Sequence, residues 1–434
     1  MTVAPLNFSA PWRWIPTLYF AQGLPYVVVM TLSVVMYKNL GLSNTEIALY
    51  TSWLYLPWVI KPLWGPLVDL LGTKRLWIVG LQFAVGVAFA LVALTLPGPK
   101  FLQMTLAMFW LMAFASATHD IAADGFYMLA LPQPSQAAFV GVRSTFYRLS
   151  MLGGQGGLVY LAGWWAESQG SVVLAWTWVF WLLAGVFAAA ALLHLWVLPR
   201  PMGDGPAPRT ATFGADFFAV FAAFFKQRDI GRILAFLLLY RFAEAQLLKL
   251  VTPFLLDSRA AGGLGLRTQD VGIAYGTVGV VALTLGGLAG GWVISRGGLK
   301  KLLWPLMVAM HAPNLLFVLL AATQPTSVWL VSAALAVEQF GYGFGFTAYM
   351  VFMLMVAGGA DGDGSNSAVH KTAHYALCTG FMALGMMLPG MWAGWLQSQL
   401  GYTQFFIWGC IATLPSFVAA ARVRIDPGFG RRMG

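Results

Sequence analysis

The sequence predicts an all-α membrane protein, with twelve transmembrane helices arranged as two pseudo-symmetric six-helix bundles. Three observations predict it. Of 434 residues, 59% are hydrophobic and only 9% are charged, whereas a soluble domain carries about a quarter charged residues. Apolar runs long enough to cross a bilayer recur from one end of the chain to the other. The longest polar connection falls near the middle and opens with Pro199-Arg-Pro-Met-Gly-Asp-Gly-Pro206, a composition that cannot continue a helix.

Taken in order, spans are expected at 14–37, 45–69, 76–97, 101–130, 138–163 and 172–198, then at 231–256, 270–295, 301–322, 327–356, 368–397 and 403–421. The domain organisation that follows is a first bundle over 1–198, a cytoplasmic linker over 199–230 and a second bundle over 231–434. The first span lacks a basic leader and an A-x-A cleavage site, so no removed signal peptide is expected. With the N-terminus placed inside, the outer loops hold only Lys38, Lys100, Arg259 and Arg267, and the remaining loop cations fall on the inner side. That asymmetry orients both termini to the cytoplasm. The net charge of +10 is therefore an orientation signal and not a nucleic-acid surface. Cys378 and Cys410 each sit in an apolar span without metal-ligand spacing, so neither a disulfide nor a metal is expected, and no cofactor is called for.

The fourth span carries His119-Asp120-Ile-Ala-Ala-Asp124-Gly125. An ionised group at a helix centre in the bilayer costs about 2.5–3.5 kcal/mol on insertion scales, so such groups are kept where they meet protein or water. Asp120 and Asp124 share one helix face, with His119 beside them. The functional reading is a substrate or proton path, and the alternative is a structural ion-pair cluster that fixes helix packing. The other spans add Lys61, Arg143, Arg148, Arg241, Glu244, Lys249 and Glu338. Arg148 lies at a depth similar to Asp120 on the neighbouring span, which makes an Asp120–Arg148 pair sterically reasonable. Arg143 is expected to snorkel to the inner surface in preference to meeting Asp124. Arg241 and Glu244, three residues apart, can meet on one face.

A proton-coupled carrier needs a carboxylate that loads and releases a proton as its surroundings change. Asp120, Asp124, Glu244, Glu338 and His119 are the candidates for that role. Arg148, Arg241 and Lys249 are the cations available to an anionic cargo. Gln22, Tyr26, Tyr147, Gln155 and Tyr375 could line a sugar-binding surface beside them. The stretches Gly153-Gly-Gln-Gly-Gly157 and Gly286-Gly…Gly290-Gly291 place small residues four apart and are read as close helix contacts. Gly341-Tyr-Gly-Phe-Gly345 is expected to soften the tenth helix, and Pro25 to kink the first.

The two halves repeat one another. Gly65-Pro-Leu-Val-Asp69-Leu-Leu-Gly72-Thr-Lys74-Arg75 after the second span matches Gly291-Trp-Val-Ile-Ser295-Arg-Gly-Gly298-Leu-Lys300-Lys301 after the eighth. Duplication of a six-span unit, with the site near midplane between the copies, is a recurrent transporter plan. The first copy resembles the loop motif between the second and third spans of the major facilitator superfamily. The resemblance implies a gating role for Gly65, Asp69, Gly72, Lys74 and Arg75, with Asp69 in ion pairs that bias the conformational state. Ser295 replaces the acid in the second copy.

Phe20-Ala-Gln-Gly-Leu-Pro25, Leu63-Trp-Gly-Pro-Leu-Val-Asp69, Asp120-Ile-Ala-Ala-Asp124, Tyr147-Arg-Leu149, Thr252-Pro-Phe-Leu-Leu256 and His374-Tyr-Ala-Leu377 together resemble the AmpG branch of that superfamily. That branch comprises muropeptide permeases, with related siderophore and acetyl-CoA transporters. The resemblance implies a proton-coupled symporter that imports anhydro-muropeptides across the bacterial inner membrane during peptidoglycan recycling. Its partners would be a sugar-peptide or other anionic solute, protons and the lipid bilayer, with the protein expected to act as a monomer. His119 precedes Asp120 where the branch has glutamine, and Gly358–Ser367 reads as an insertion. A siderophore or acyl-CoA carrier on the same fold is the runner-up. A membrane-embedded enzyme is weaker, since no serine–histidine pair, metal cluster or phosphate loop appears and the charges spread over both halves. A passive channel would need a polar stripe on many helices.

Overall fold

The computed structural model describes residues 9–201, 203–205, 213–358 and 367–430. A few side chains inside those ranges, Asp69 and Lys371 among them, lie outside the described set, as do residues 359–366 of the insertion-like stretch. The described residues form helices joined by short connections, with no strand among them. Helical residues cover every expected span. Eight segments, from Ile15–Asn39 to Ala373–Arg422, are long and apolar enough to cross a membrane by length and composition. The last of these holds both the eleventh and the twelfth spans, parted at Gly401, whose φ of 72° only glycine adopts readily.

The second and seventh spans are each broken. Asn44–Trp53 is followed by Leu56–Leu70, and Ile230–Leu239 by Phe242–Leu256, each pair separated by a two-residue turn. The first of these segments has a full capping box. Ser43 Oγ accepts from the Glu46 backbone N–H at 3.2 Å, and the Glu46 carboxylate accepts from the Ser43 N–H at 3.0 Å. Thr73 caps the third span by accepting from Leu76 N–H at 3.1 Å, and Ser171 caps the sixth by accepting from Leu174 N–H at 3.2 Å.

The internal repeat now has a physical cause. Gly72 (φ 107°) and Gly298 (φ 79°) hold equivalent positive-φ turns, and each ends one helix so that the basic pair opens the next. In the first span, Pro25 is followed within a turn by a π-helical segment, Val28–Leu32.

The described chain clusters into two compact units. One comprises 1–33 and 63–209, the other 34–62 and 210–434. In the first, Trp14, Leu18, Tyr19, Ile78, Phe126 and Tyr127 anchor a buried core near the start of the first span. The second holds two cores, one around Phe236, Tyr240, Tyr349 and Phe352 and another around Phe254, Phe317, Tyr402 and Phe406.

Close helix contacts follow the glycines. A Cβ on Gly286 would stand 2.1 Å from the Phe340 carbonyl oxygen, and one on Gly343 would stand 2.1 Å from that of Leu283. The eighth and tenth spans therefore meet backbone to backbone. Gly341 and Gly345 face the ninth span in the same way, at 2.3 Å from Ala309 O and 2.5 Å from Leu306 O. Val328–Gly358 runs unbroken, and its glycines are contact points with the eighth and ninth spans. Large apolar side chains such as Trp178, Trp196, Trp292, Trp329 and Trp395 point outward, as bilayer-facing and interfacial residues do. Cys378 and Cys410 are free thiols.

Candidate functional site

In the unit that holds most of the first half, the fourth span presents Asp120 and Asp124 toward the first and fifth spans. Gln22 Nε2 donates to Asp120 Oδ1 at 3.0 Å. Arg143 NH2 lies 2.8 Å from Asp124 Oδ1, with both side chains about a third exposed (31% and 39%). The guanidinium also stands over the Tyr19 ring at 4.7 Å and the Tyr127 ring at 5.4 Å. The surface reading of Arg143 is thus corrected. A carboxylate and two aromatic faces within reach hold it more favourably than extension of the side chain to water.

The first span approaches the fifth where Gly23 leaves room for Ser150, since a Cβ there would lie 2.0 Å from Ser150 Oγ and 3.1 Å from Tyr147 O. Gly154 makes the reciprocal contact with Val27 inside the π-helical segment Leu152–Leu158. Tyr26, Tyr147, Arg148 and Gln155 are all half-buried on these two helices.

His119 belongs to a different network from the two acids. Its Nε2 is 3.0 Å from Gln82 Nε2, Gln82 Oε1 is 2.7 Å from His194 Nδ1, and His194 Nε2 is 3.0 Å from Thr17 Oγ1. With the Gln82 amide in that orientation, His119 accepts at Nε2 and His194 donates from Nδ1. His119, Gln82 and His194 are buried. This chain ties the first, third, fourth and sixth spans together. Gln82 and His194 were missed in the sequence, although each is a lone polar residue in an apolar run.

The motif repeated between the halves lies beside the fourth span. The Lys74 stem crosses the fourth span at Gly125, one residue beyond Asp124, where an added Cβ would meet Lys74 Cε at 2.5 Å. Asp204 accepts from the Lys74 and Arg75 backbone N–H groups at 2.7 and 3.2 Å, capping the third span with a negative charge. The Arg75 guanidinium donates to the carbonyls of Leu195 and Leu198 at the end of the sixth span. Gly65 lies in the second span's helix and Asp69 in its last turn, with the Asp69 side chain outside the described residues.

In the second unit, Arg241 and Glu244 pair as their spacing suggests. Arg241 NH2 donates to Glu244 Oε1 at 3.0 Å and to Tyr342 Oη at 2.5 Å, and the guanidinium lies 4.9 Å from the Phe346 ring. Lys249, one turn or more beyond, is 4% exposed; it donates to Thr51 Oγ1 at 2.9 Å and stands 5.2 Å from the Tyr55 ring. Glu338 is also 4% exposed and accepts from the Gln339 amide at 2.8 Å. Tyr375 is half-buried at the margin of the core around Tyr349.

The same unit holds a polar cluster that the sequence did not reveal. Lys38 Nζ lies 2.6 Å from Asp257 Oδ1 and donates to Asn44 Oδ1 at 2.7 Å. Asn44 Nδ2 reaches Gln397 Oε1 and Tyr402 Oη, both at 2.9 Å, and Tyr402 Oη donates to Asp257 Oδ2 at 2.6 Å. Nearby, Asn39 Nδ2 donates to Thr268 Oγ1 at 2.7 Å. Asn44 comes so near because Gly394 has no side chain: a Cβ there would lie 2.0 Å from the Asn44 carbonyl oxygen. The start of the second span is thereby fastened to the ends of the seventh and eleventh.

Comparison with known proteins bears on the family and the fold. The family model of the Major Facilitator Superfamily matches residues 17–369. The anhydromuropeptide permease of Escherichia coli (strain K12) is 27% identical over 411 residues, covering 92% of this chain and 77% of the permease. Among solved structures, a mutant of the nucleoside transporter NupG superposes with a TM-score of 0.67 at 19% identity, covering 94% of this chain and 97% of that one. A bacterial homolog to the human lysosomal transporter Spinster gives 0.65 at 16% identity, with 96% of each chain covered. At such identities the two structures speak for the fold.

Proposed function

The chain belongs to the Major Facilitator Superfamily and is a multi-pass membrane transporter of a small molecule, and on that premise we propose that it is a proton-coupled importer of anhydro-muropeptides. The membrane would be the bacterial inner membrane, with both termini cytoplasmic and the protein acting as a monomer. The observation that carries the cargo assignment is the likeness to the Escherichia coli permease over 92% of this chain. The bundles 1–198 and 231–434, joined by the linker 199–230, would rock to expose the site to either side in turn.

The proton path is read from the partners of each acid. Asp124 and Glu244 face arginines, so protonating either strands a cation. Asp120 and Glu338 face the amides of Gln22 and Gln339. An amide donates to a carboxylate or, turned over, accepts from a carboxylic acid, so it serves both protonation states. Asp120 and Glu338 are therefore the proposed proton carriers. Asp124 and Glu244 act through their arginines, and His119, engaged by Gln82, serves packing. Gln22, Tyr26, Tyr147, Arg148, Gln155, Arg241 and Tyr375 would contact cargo. Gly65, Asp69, Gly72, Lys74 and Arg75 would gate the inner side, and the Lys38–Asp257–Asn44–Tyr402 cluster the outer.

The test is uptake of labelled anhydro-muropeptide into proteoliposomes, acid outside, competed with unlabelled muropeptide or with a ferric siderophore. Muropeptide competition with siderophore indifference is expected; the reverse would replace this cargo by the siderophore reading.

A further inference from the structure

We propose that Lys249, with Thr51, Ser52 and Tyr55, forms the subsite for a carboxylate of the cargo. The proposal deepens the transporter reading above and rests on it. Its starting point is charge balance inside the spans. Arg143 is matched by Asp124, Arg241 by Glu244 and Lys38 by Asp257. Lys249 has no acid within salt-bridge distance among the described residues, yet it is 4% exposed. Burying an ammonium costs several kcal/mol unless an opposite charge and full hydrogen bonding accompany it.

What surrounds Lys249 is incomplete for a cation and suited to an anion. Of the three N–H donors of an ammonium, one goes to Thr51 Oγ1, whose own proton goes to the Ile47 carbonyl at 2.6 Å. The Tyr55 ring at 5.2 Å supplies a weak cation–π contact. Beside it the Ser52 hydroxyl is fully buried with no hydrogen-bond partner among the described residues. Ser52 and Lys249 converge on Gly390: a Cβ there would stand 2.7 Å from Ser52 Oγ and 3.4 Å from Lys249 Cγ. Glycine at 390 thus lets the Ser52 hydroxyl and the aliphatic stem of Lys249 pack side by side against the eleventh span.

A carboxylate is the group that completes this arrangement. One negative charge balances one ammonium, whereas a dianionic phosphoryl group would leave a charge buried. Its two oxygens accept from the remaining lysine donors and from Ser52. Because Lys249 lies on the seventh span and Thr51 on the second, a carboxylate that takes Lys249 loosens the tie between them. Cargo binding and release of the second span become one event.

Two paired measurements test this. Wild type, Lys249→Gln and Lys249→Arg are assayed for uptake of an anhydro-muropeptide bearing a free terminal carboxylate and of its terminal amide. Wild type should prefer the acid by about tenfold. Lys249→Gln should transport both alike at the amide's rate, which also shows that it folds, and Lys249→Arg should keep the preference. In parallel, thermal unfolding in detergent is followed with N-acetyl-D-alanine and with its amide. The acid alone should raise the wild-type midpoint, and neither should raise that of Lys249→Gln. An unchanged acid preference, or an unchanged acid shift, in Lys249→Gln overturns the subsite. If wild type takes up neither muropeptide, the cargo reading fails and the unfolding shifts alone decide Lys249.

Discussion

Glu244→Gln is the perturbation with the best-defined consequence. The Arg241–Glu244 pair keeps side-chain exposures of 10% and 7% and a separation of 3.0 Å. At an effective dielectric constant near 20, that separation corresponds to roughly 5 kcal/mol of attraction. Removing one partner of a buried pair costs about 3–5 kcal/mol, since the survivor is left charged and uncompensated. Here Tyr342 Oη and the Phe346 face stay with Arg241, and cation–π contacts of this kind return about 1–2 kcal/mol. The expected loss for Glu244→Gln is therefore about 2–3 kcal/mol, or a midpoint lower by about 4–6 °C at ~2 °C per kcal/mol for a large chain. Thermal unfolding in detergent provides the assay, run as a cycle with Arg241→Met and with Arg241→Met/Glu244→Met. The double variant should lie within about 1 kcal/mol of wild type, because no stranded charge remains. If the two single losses simply add in the double variant, the pair is not a coupled buried ion pair and the reasoning fails.

Further outcomes follow from the contacts described. Lys38→Asp and Asp257→Lys should each lower uptake several-fold and recover when combined, because the charge swap restores the 2.6 Å pair; singles and double alike in uptake would remove the cluster from gating. Gly343→Ala should cost about 1–3 kcal/mol in thermal unfolding, since its Cβ would stand 2.1 Å from the Leu283 carbonyl oxygen, and a neutral result would show that the eighth and tenth spans can separate freely. Asp204→Ala removes the acceptor for two N–H groups of the third span and should cost about 0.5–2 kcal/mol by the same assay, with Asp204→Asn losing less.

The parts of this site that could be read in the sequence are those whose partners are local. Arg241 and Glu244 sit one turn apart, so helix geometry alone joins them. Asp120 and Asp124 stood out because charge in an apolar run is costly wherever its partner lies. The glycine pairs of the eighth span also announced a close contact, though not that Gly343 would complete it from the tenth. Long-range polar clusters stayed hidden. Lys38, Asn44, Asp257, Gln397 and Tyr402 each sit near a span end, where water would satisfy them, and nothing in their spacing joins three separate stretches. Arg143 was misjudged for a related reason: snorkelling depends on depth alone, whereas the Tyr19 and Tyr127 faces that hold it come from two other helices. Thr51 and Tyr55 drew no attention because their meaning depends on Lys249, almost two hundred residues away.

The proposal that an acid facing an amide carries the proton is tested most directly by recording luminal pH in proteoliposomes with an entrapped dye while anhydro-muropeptide is added outside. Wild type should acidify the lumen as cargo enters, with no imposed gradient, and Asp120→Asn or Glu338→Gln should take in or exchange cargo with that acidification abolished. Cargo entry in wild type without any change in luminal pH, or undiminished acidification in both variants, would contradict it.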